Sequence, residues 1–276
     1  MKKKNNFLIN FTFFKNIFWE RRWTILTYSL IVVLYGTMLI SMYPSIQKSN
    51  FDLERLMSSY PKAFMEAFGV NLKSFNTIEG FLSVEYFSAI WPLIIGILIF
   101  SLGASFVAQE REKGTCDFSF SLPISRKKIL LSKFLAAFLI VSFIVAITLF
   151  STFLLVKIFL AKSLFKKGFF MFFIDGIFLS FFLLSFATLL SCIFDNKGKV
   201  YGICGGFFLL SYILHILKGV SEKVADFYFL SFFKYYGIPE NILLTGEISK
   251  KYLLVFLLAG ALFLLLGFLI IEKRDI

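Results

Sequence analysis

The sequence predicts an all-α integral membrane protein of six transmembrane helices with both termini cytoplasmic, preceded by an amphipathic interfacial helix. Three observations predict it. The 276-residue chain is 58% hydrophobic and 20% aromatic, with mean hydropathy +0.82, which is more apolar surface than one soluble core absorbs. The apolar residues fall into stretches of about 20, the length that crosses a hydrocarbon core of about 30 Å. The formal charge is +12, and the basic residues flank the apolar stretches without forming a separate basic domain. That arrangement fits a membrane surface and argues against nucleic acid.

The segment 1–22 opens with Lys2, Lys3 and Lys4, after which Phe7, Phe11, Phe14 and Phe18 recur at three- and four-residue steps, the pattern of a helix lying in the interface. A cleaved signal peptide is the competing reading. It lacks a small-residue cleavage site, and the apolar stretch that follows is long enough to span.

The first span is placed at 23–43 and ended by Pro44. The mixed segment 44–86 is read as an outer loop with amphipathic helical pieces at 53–68 and 78–87. The second span, 87–108, returns with Trp91 near the interface and Pro92 in its first turn, where a missing N–H costs nothing. An inner loop, 109–133, leads to the third span, 134–156. Lys157, Lys162, Lys166 and Lys167 mark a short outer turn before the fourth span, 169–194. Asp195 to Lys199 turns the chain at the inner face, 200–217 is the fifth span, and 218–251 is a second outer segment. The last span, 252–271, ends in the charged tail Glu272 to Ile276. All of this reads as a single transmembrane domain.

Inner segments hold sixteen of the 29 Lys and Arg residues in fewer residues than the outer segments occupy, so the positive-inside bias supports this orientation. The lysines at 157–167 run against it. Lys outnumbers Arg, and Phe, Ile and Asn are common, a composition suggestive of an AT-rich bacterial genome and hence of a bacterial cytoplasmic membrane. Cys116, Cys192 and Cys204 fit no zinc spacing and are expected as free thiols. His215 is the one histidine, which excludes His-rich metal sites; no metal site and no catalytic residue is assigned.

The inner loop reads QEREKGTCDFSFSLPISRKKILLSK from Gln109 to Lys133. Glu110, Arg111, Glu112 and Lys113 form a charged cluster, and Gly114 is a natural helix stop. The charges alone read as a helix end facing water. Phe118, Phe120 and Leu122 are apolar groups at the inner surface, available to a partner or to the lipid interface, and periodicity does not decide between helix and extended chain. Pro123 breaks the segment, and Ser125 is placed to cap a helix running through Arg126 into the third span.

This loop resembles the cytoplasmic loop of type-2 ATP-binding-cassette (ABC) exporter permeases, the transmembrane subunits that pair with a separate ATPase. The residues carrying the likeness are Glu110, Glu112, Gly114 and Thr115, followed by Leu122, Pro123, Ser125 and Arg126. Phe229 to Gly246 resembles that family's outer segment before the last span, and Glu272 to Ile276 its closing tail. Cys116 and Ser119 depart from it, standing where aliphatic residues are usual.

The resemblance implies a homodimer of this permease on two ATPase subunits, with the loop as a coupling helix in which Phe118, Phe120 and Leu122 enter a groove of the ATPase. No G-x-x-x-x-G-K-[ST] phosphate loop occurs. ATP and Mg are therefore expected on the partner, with no cofactor on this chain. In such permeases the first and fifth spans meet across the dimer. Gly198, Gly202 and Gly206 recur every four residues, a stripe that lets helices approach closely, and are candidates for that packing; a contact within the subunit, or loosely packed glycine near the inner end, is the alternative.

Asp175 is the one acid predicted inside a span, a candidate substrate or ion contact. The blander reading has it snorkelling to the headgroups or pairing with Lys166 or Lys167. With no other charge at membrane depth, the chain favours an amphipathic or hydrophobic substrate, a peptide toxin or bacteriocin first, then a lipid or drug. Membrane enzymes need clustered acids, histidines or serines, and channels need a lined polar pore; neither is visible. A sensor or immunity protein without transport is the alternative of a different class.

Overall fold

A computed structural model of the chain describes residues 11–48, 76–115, 125–218 and 222–273. Among these, helices account for all regular structure: α1 (Phe11–Glu20), α2 (Arg22–Lys48), α3 (Ile78–Leu82) continued by a π turn (Ser83–Phe87), α4 (Ile90–Ala104), α5 (Ala108–Glu112), α6 (Arg126–Leu160), α7 (Lys166–Ile193), α8 (Lys197–Leu217), α9 (Glu222–Ala225), α10 (Pro239–Thr245) and α11 (Lys250–Lys273). Five of them are long and apolar enough to span, and the pair 78–87 and 90–104, bent by 41°, makes a sixth. The fold class is thus all-α and multi-pass.

The helix α7 is the centre. Its most apolar stretch is 72% buried, against 22% for α2, α8 and α11, so those three present apolar faces outward. Glycines set the close approaches. A Cβ on Gly103 of α4 would lie 2.5 Å from the Cβ of Ala187, and one on Gly260 of α11 would meet Phe181 at 2.7 Å. Phe182 links α7 to α8 through Phe207 and to α11 through Phe256 and Phe263, tilted contacts that add about 1 kcal/mol each beyond burial.

Four boundaries differ from the sequence reading. Pro44 does not end the first span: α2 runs on to Lys48, because a proline forfeits one intrahelical bond and the remaining turn still closes. The outer loop is in part not a loop. Ile78, Phe81, Leu82, Tyr86 and Phe87 are buried at 3% exposure or less, and their segment is tied down by tyrosines. Tyr43 donates to the carbonyl of Asn76 at 3.1 Å, Tyr86 to Val32 at 3.0 Å, and Tyr236 to Phe87 at 2.9 Å. Trp91 is fully buried within the protein, with its ring among Phe87, Phe172 and Tyr236. The second span also stops early, at Ala104, and turns before α5. The amphipathic piece expected at 53–68 lies outside the described residues.

The second outer segment likewise folds inward. Phe232, Phe233, Tyr236, Ile242 and Leu243 are buried, and Ser231 donates to the carbonyl of Ser211 at 2.7 Å. The helix α10 begins at Pro239 and ends at Gly246, whose φ of +67° closes it in the left-handed conformation. It rests on the start of α7, where a Cβ on Gly168 would lie 2.2 Å from the carbonyl oxygen of Leu243.

Candidate functional site

The span ends beside the 109–133 loop are fastened by the charged cluster at 110–112. Between α4 and α5 the chain breaks its helix at 105–107, which strands backbone groups in a buried position, and side chains from two other helices satisfy them. Ser191 of α7 accepts from the amides of Val107 at 3.1 Å and Ala108 at 3.0 Å. Lys133 of α6, buried at 6% exposure, donates to the Phe106 carbonyl at 2.7 Å and to Glu110 Oε1 at 2.5 Å.

The next two residues each reach a different element. Arg111 donates to Asp195 at 2.7 Å, in the link between α7 and α8. Glu112 accepts from the backbone amide of Lys197 at 2.9 Å and from Asn196 Nδ2 at 3.5 Å, so its charge sits on the positive N-terminus of α8. Farther along, Lys127 pairs with Glu272 at 2.6 Å, joining the start of α6 to the end of α11. The cluster is therefore not a helix end that merely faces water. The reason is tertiary: the break at 105–107 turns α5 toward α6 and α8, which the local charge pattern does not reveal.

Gly114 and Thr115 close α5. The Thr115 amide donates to Glu110 O at 2.9 Å and the Gly114 amide to Arg111 O at 3.0 Å, with Gly114 at φ +65°. These are the paired bonds of a Schellman motif, which calls for a residue free of a Cβ penalty at the left-handed position. Arg126 opens α6, and Ser125 stands at its N-cap without a side-chain bond. Phe118, Phe120, Leu122, Pro123 and Cys116 lie outside the described residues.

Beside the clamp, a cleft of about 230 Å³ opens between α1, the break and α6, lined by Asn16, Glu20, Arg21, Ser105, Glu110 and Lys133. Glu110 Oε2 is buried there without a hydrogen-bond partner. The second cleft, about 270 Å³, lies between the end of α6 and the start of α7. It is walled by Leu149, Phe150, Phe153, Phe169 and Phe170, with Lys166 at its rim.

Gly202 and Gly206 are exposed, and a Cβ on either, or on Gly205, meets nothing within 4 Å; one on Gly198 meets only Asn196 of its own cap. The stripe makes no packing contact among the described residues of its own chain. Val200 is buried and Phe207 packs on Phe182 and Phe186, so the outward face of α8 is carried by Ile203, Leu209, Leu210 and Ile213.

Asp175 neither snorkels nor pairs with Lys166 or Lys167. It is 0% exposed, neither carboxylate oxygen meets full hydrogen-bond geometry, and the backbone of Gly237 is a polar group that lies against it. Sequence reasoning missed its cover, Tyr236 and Gly237, because they arrive from an outer segment sixty residues away (roughly, in a fold where neighbours need not be sequential). Burial, and then the nearby carboxylate, push the Tyr236 phenol well above its ordinary range. Cys192 and Cys204 are buried; no group of His, Cys, Asp and Glu among the described residues is placed to hold a metal. His215 accepts or donates at Nδ1 with the Tyr228 hydroxyl at 2.9 Å, which Lys218 also reaches at 3.1 Å, an anchor for the end of α8.

Residues 14–276 match the family model described as ABC-2 family transporter protein. No curated protein matches the chain.

Proposed function

We propose, from the premise that this chain belongs to the ABC-2 transporter family, that it is the permease subunit of an ATP-driven exporter in a bacterial cytoplasmic membrane. A separate ABC ATPase binds ATP and Mg and performs the hydrolysis. The observation that carries the reading is the clamp: Glu110, Arg111 and Glu112 tie α5 to α6, to the α7–α8 link and to α8. A push on the loop 109–133 moves three span ends together.

Coupling follows from that rigidity. The Schellman closure at Gly114 sends the chain out of α5 at a fixed angle, and α6 resumes at Arg126 as one continuous helix to the outer side. Phe118, Phe120 and Leu122 lie between these two anchors and are the groups offered to the ATPase. Two copies of the chain would meet through α8, on the stripe of Gly198, Gly202 and Gly206, with the exposed face of α2 beside it.

The substrate class that the walls favour is amphipathic or hydrophobic, a peptide toxin or bacteriocin foremost, or a lipid or drug. The phenylalanine-lined cleft between α6 and α7, with the Lys166 ammonium at its mouth, suits an apolar tail bearing an acidic end.

The test is co-purification from detergent with the ABC ATPase encoded beside the gene, followed by ATP hydrolysis with native permease and with Phe118→Asp. A stable complex whose hydrolysis depends on Phe118, with the variant still inserted, is the expected result. Failure of any ABC ATPase to associate would overturn the reading.

A further inference from the structure

Glu85, which the sequence places in an outer loop, stands at membrane depth. Tyr86 beside it donates to the carbonyl of Val32 at 3.0 Å, and the hydroxyl of Tyr35 lies 3.5 Å from the carbonyl oxygen of Glu85 itself. Tyr35 is the middle residue of α2 (Arg22–Lys48), about 20 Å from either end by the rise of a helix. Even Tyr43, where the apolar run of α2 closes, is about 12 Å farther out, beyond the reach of a glutamate side chain.

The π turn aims this residue away from the core. Ser83, Tyr86 and Phe87 are buried while Glu85 is exposed, and no basic side chain among the described residues pairs with its carboxylate. Such turns recur at functional sites. Farther along, α4 presents Ile90, Leu93 and Ile97 outward. This bare strip runs between two neighbours: Tyr86 ties its start to α2, and Phe208 of α8 packs on Gly96 and Phe100.

A carboxylate turned to hydrocarbon at that depth is strongly disfavoured, and acids within membrane proteins face water-filled cavities or partner groups instead. Pairing of two copies through α8, with α2 beside it, lays a second chain over the strip between them. Glu85 then faces an enclosed space, and water in that space keeps it charged.

We infer that Glu85 binds a cationic group of the substrate in an aqueous path between two copies of the chain. The inference rests on the permease reading and narrows its substrate to a molecule bearing an ammonium or another organic cation, as a basic peptide does. The carboxylate supplies the charge, and the half-buried ring of Tyr35 beside it adds a surface that attracts organic cations. An acidic end suited to the Lys166 cleft is a different group of the same peptide.

The test uses the full chain in liposomes, with Cys116, Cys192 and Cys204 replaced by Ala, and reads modification by mass spectrometry. Glu85→Cys is expected to react with a charged, water-borne thiol reagent, the trimethylammonium methanethiosulfonate, several-fold faster than Leu262→Cys on the exposed face of α11. With Glu85 in place, tetraphenylphosphonium is expected to slow modification of Ile90→Cys several-fold and tetraphenylborate to leave it unchanged, and adding Glu85→Gln should abolish that protection. A Glu85→Cys that reacts no faster than Leu262→Cys faces lipid or is covered by protein, and overturns the inference. Equal protection by both ions, or protection that survives Glu85→Gln, overturns it as well. None of these readouts needs an ATPase, so failure of this site and failure of the ATPase to associate are separate results.

Discussion

At the scale of single residues, Lys133 shows how one buried charge organises a site. Its ammonium satisfies both a stranded carbonyl, Phe106 O, and the carboxylate of Glu110. Truncating one partner of such a pair strands the other, at a cost of about 3 kcal/mol or more. Lys133→Met is therefore expected to lower the thermal midpoint in detergent markedly. Glu110→Gln is milder, since its amide still accepts from Lys133. The double variant should lose less than the sum of the two, and strict additivity would mean that the pair is not coupled. Gly114→Ala tests a different physics. A Cβ there meets nothing, so the cost is the left-handed backbone alone, about 1 kcal/mol. Coupled ATP hydrolysis should fall more than stability does, because the angle at which the loop leaves α5 changes.

At the scale of elements, the break between α4 and α5 depends on Ser191, whose one hydroxyl accepts from two amides. Ser191→Ala is expected to cost about 1 to 2 kcal/mol in thermal unfolding; an unchanged midpoint would show that water replaces it. At the outer side, Gly168→Ala places a methyl against the Leu243 carbonyl. Backbone cannot yield as a side chain does, so α10 must shift, and protection of its amides from hydrogen exchange should drop. These elements also mark what the sequence reveals. The long apolar helices are legible because a span must be continuous and about 20 residues long. Ile78–Phe87 and Phe232–Tyr236 read as outer loop because their polar residues suggested water. Glu85 does face water, but the apolar side of these segments is held by long-range bonds to backbone carbonyls, Tyr43 to Asn76, Tyr86 to Val32, Tyr236 to Phe87 and Ser231 to Ser211, and no local pattern encodes such partners. Gly114 and the cluster at 110–112 were visible as a motif, while their partners Lys133, Asp195 and the amide of Lys197 were not.

At the scale of the whole molecule, the proposed pairing of two copies can be tested against the burial pattern. The central helix is enclosed, yet α2 turns Trp23, Leu26, Leu30 and Leu34 outward, and α8 turns out Ile203, Leu209, Leu210 and Ile213. Lipid can cover such faces, but lipid gives no reason for bare glycines, since helix association in membranes rests on close backbone packing that small residues permit. Gly202, Gly205 and Gly206 offer that surface and find nothing on it in their own chain. Gly206→Leu should accordingly leave the fold of the monomer intact, with the native thermal midpoint, and abolish the dimer in detergent. In a background with Cys116, Cys192 and Cys204 replaced by Ala, Ile203→Cys is expected to form an intersubunit disulfide that Gly206→Leu removes, while Phe207→Cys, facing inward, forms none. A disulfide at Phe207 with none at Ile203 would place the contact on another face of α8. No crosslink at either, with a dimer still present, would move it to α2 or α11.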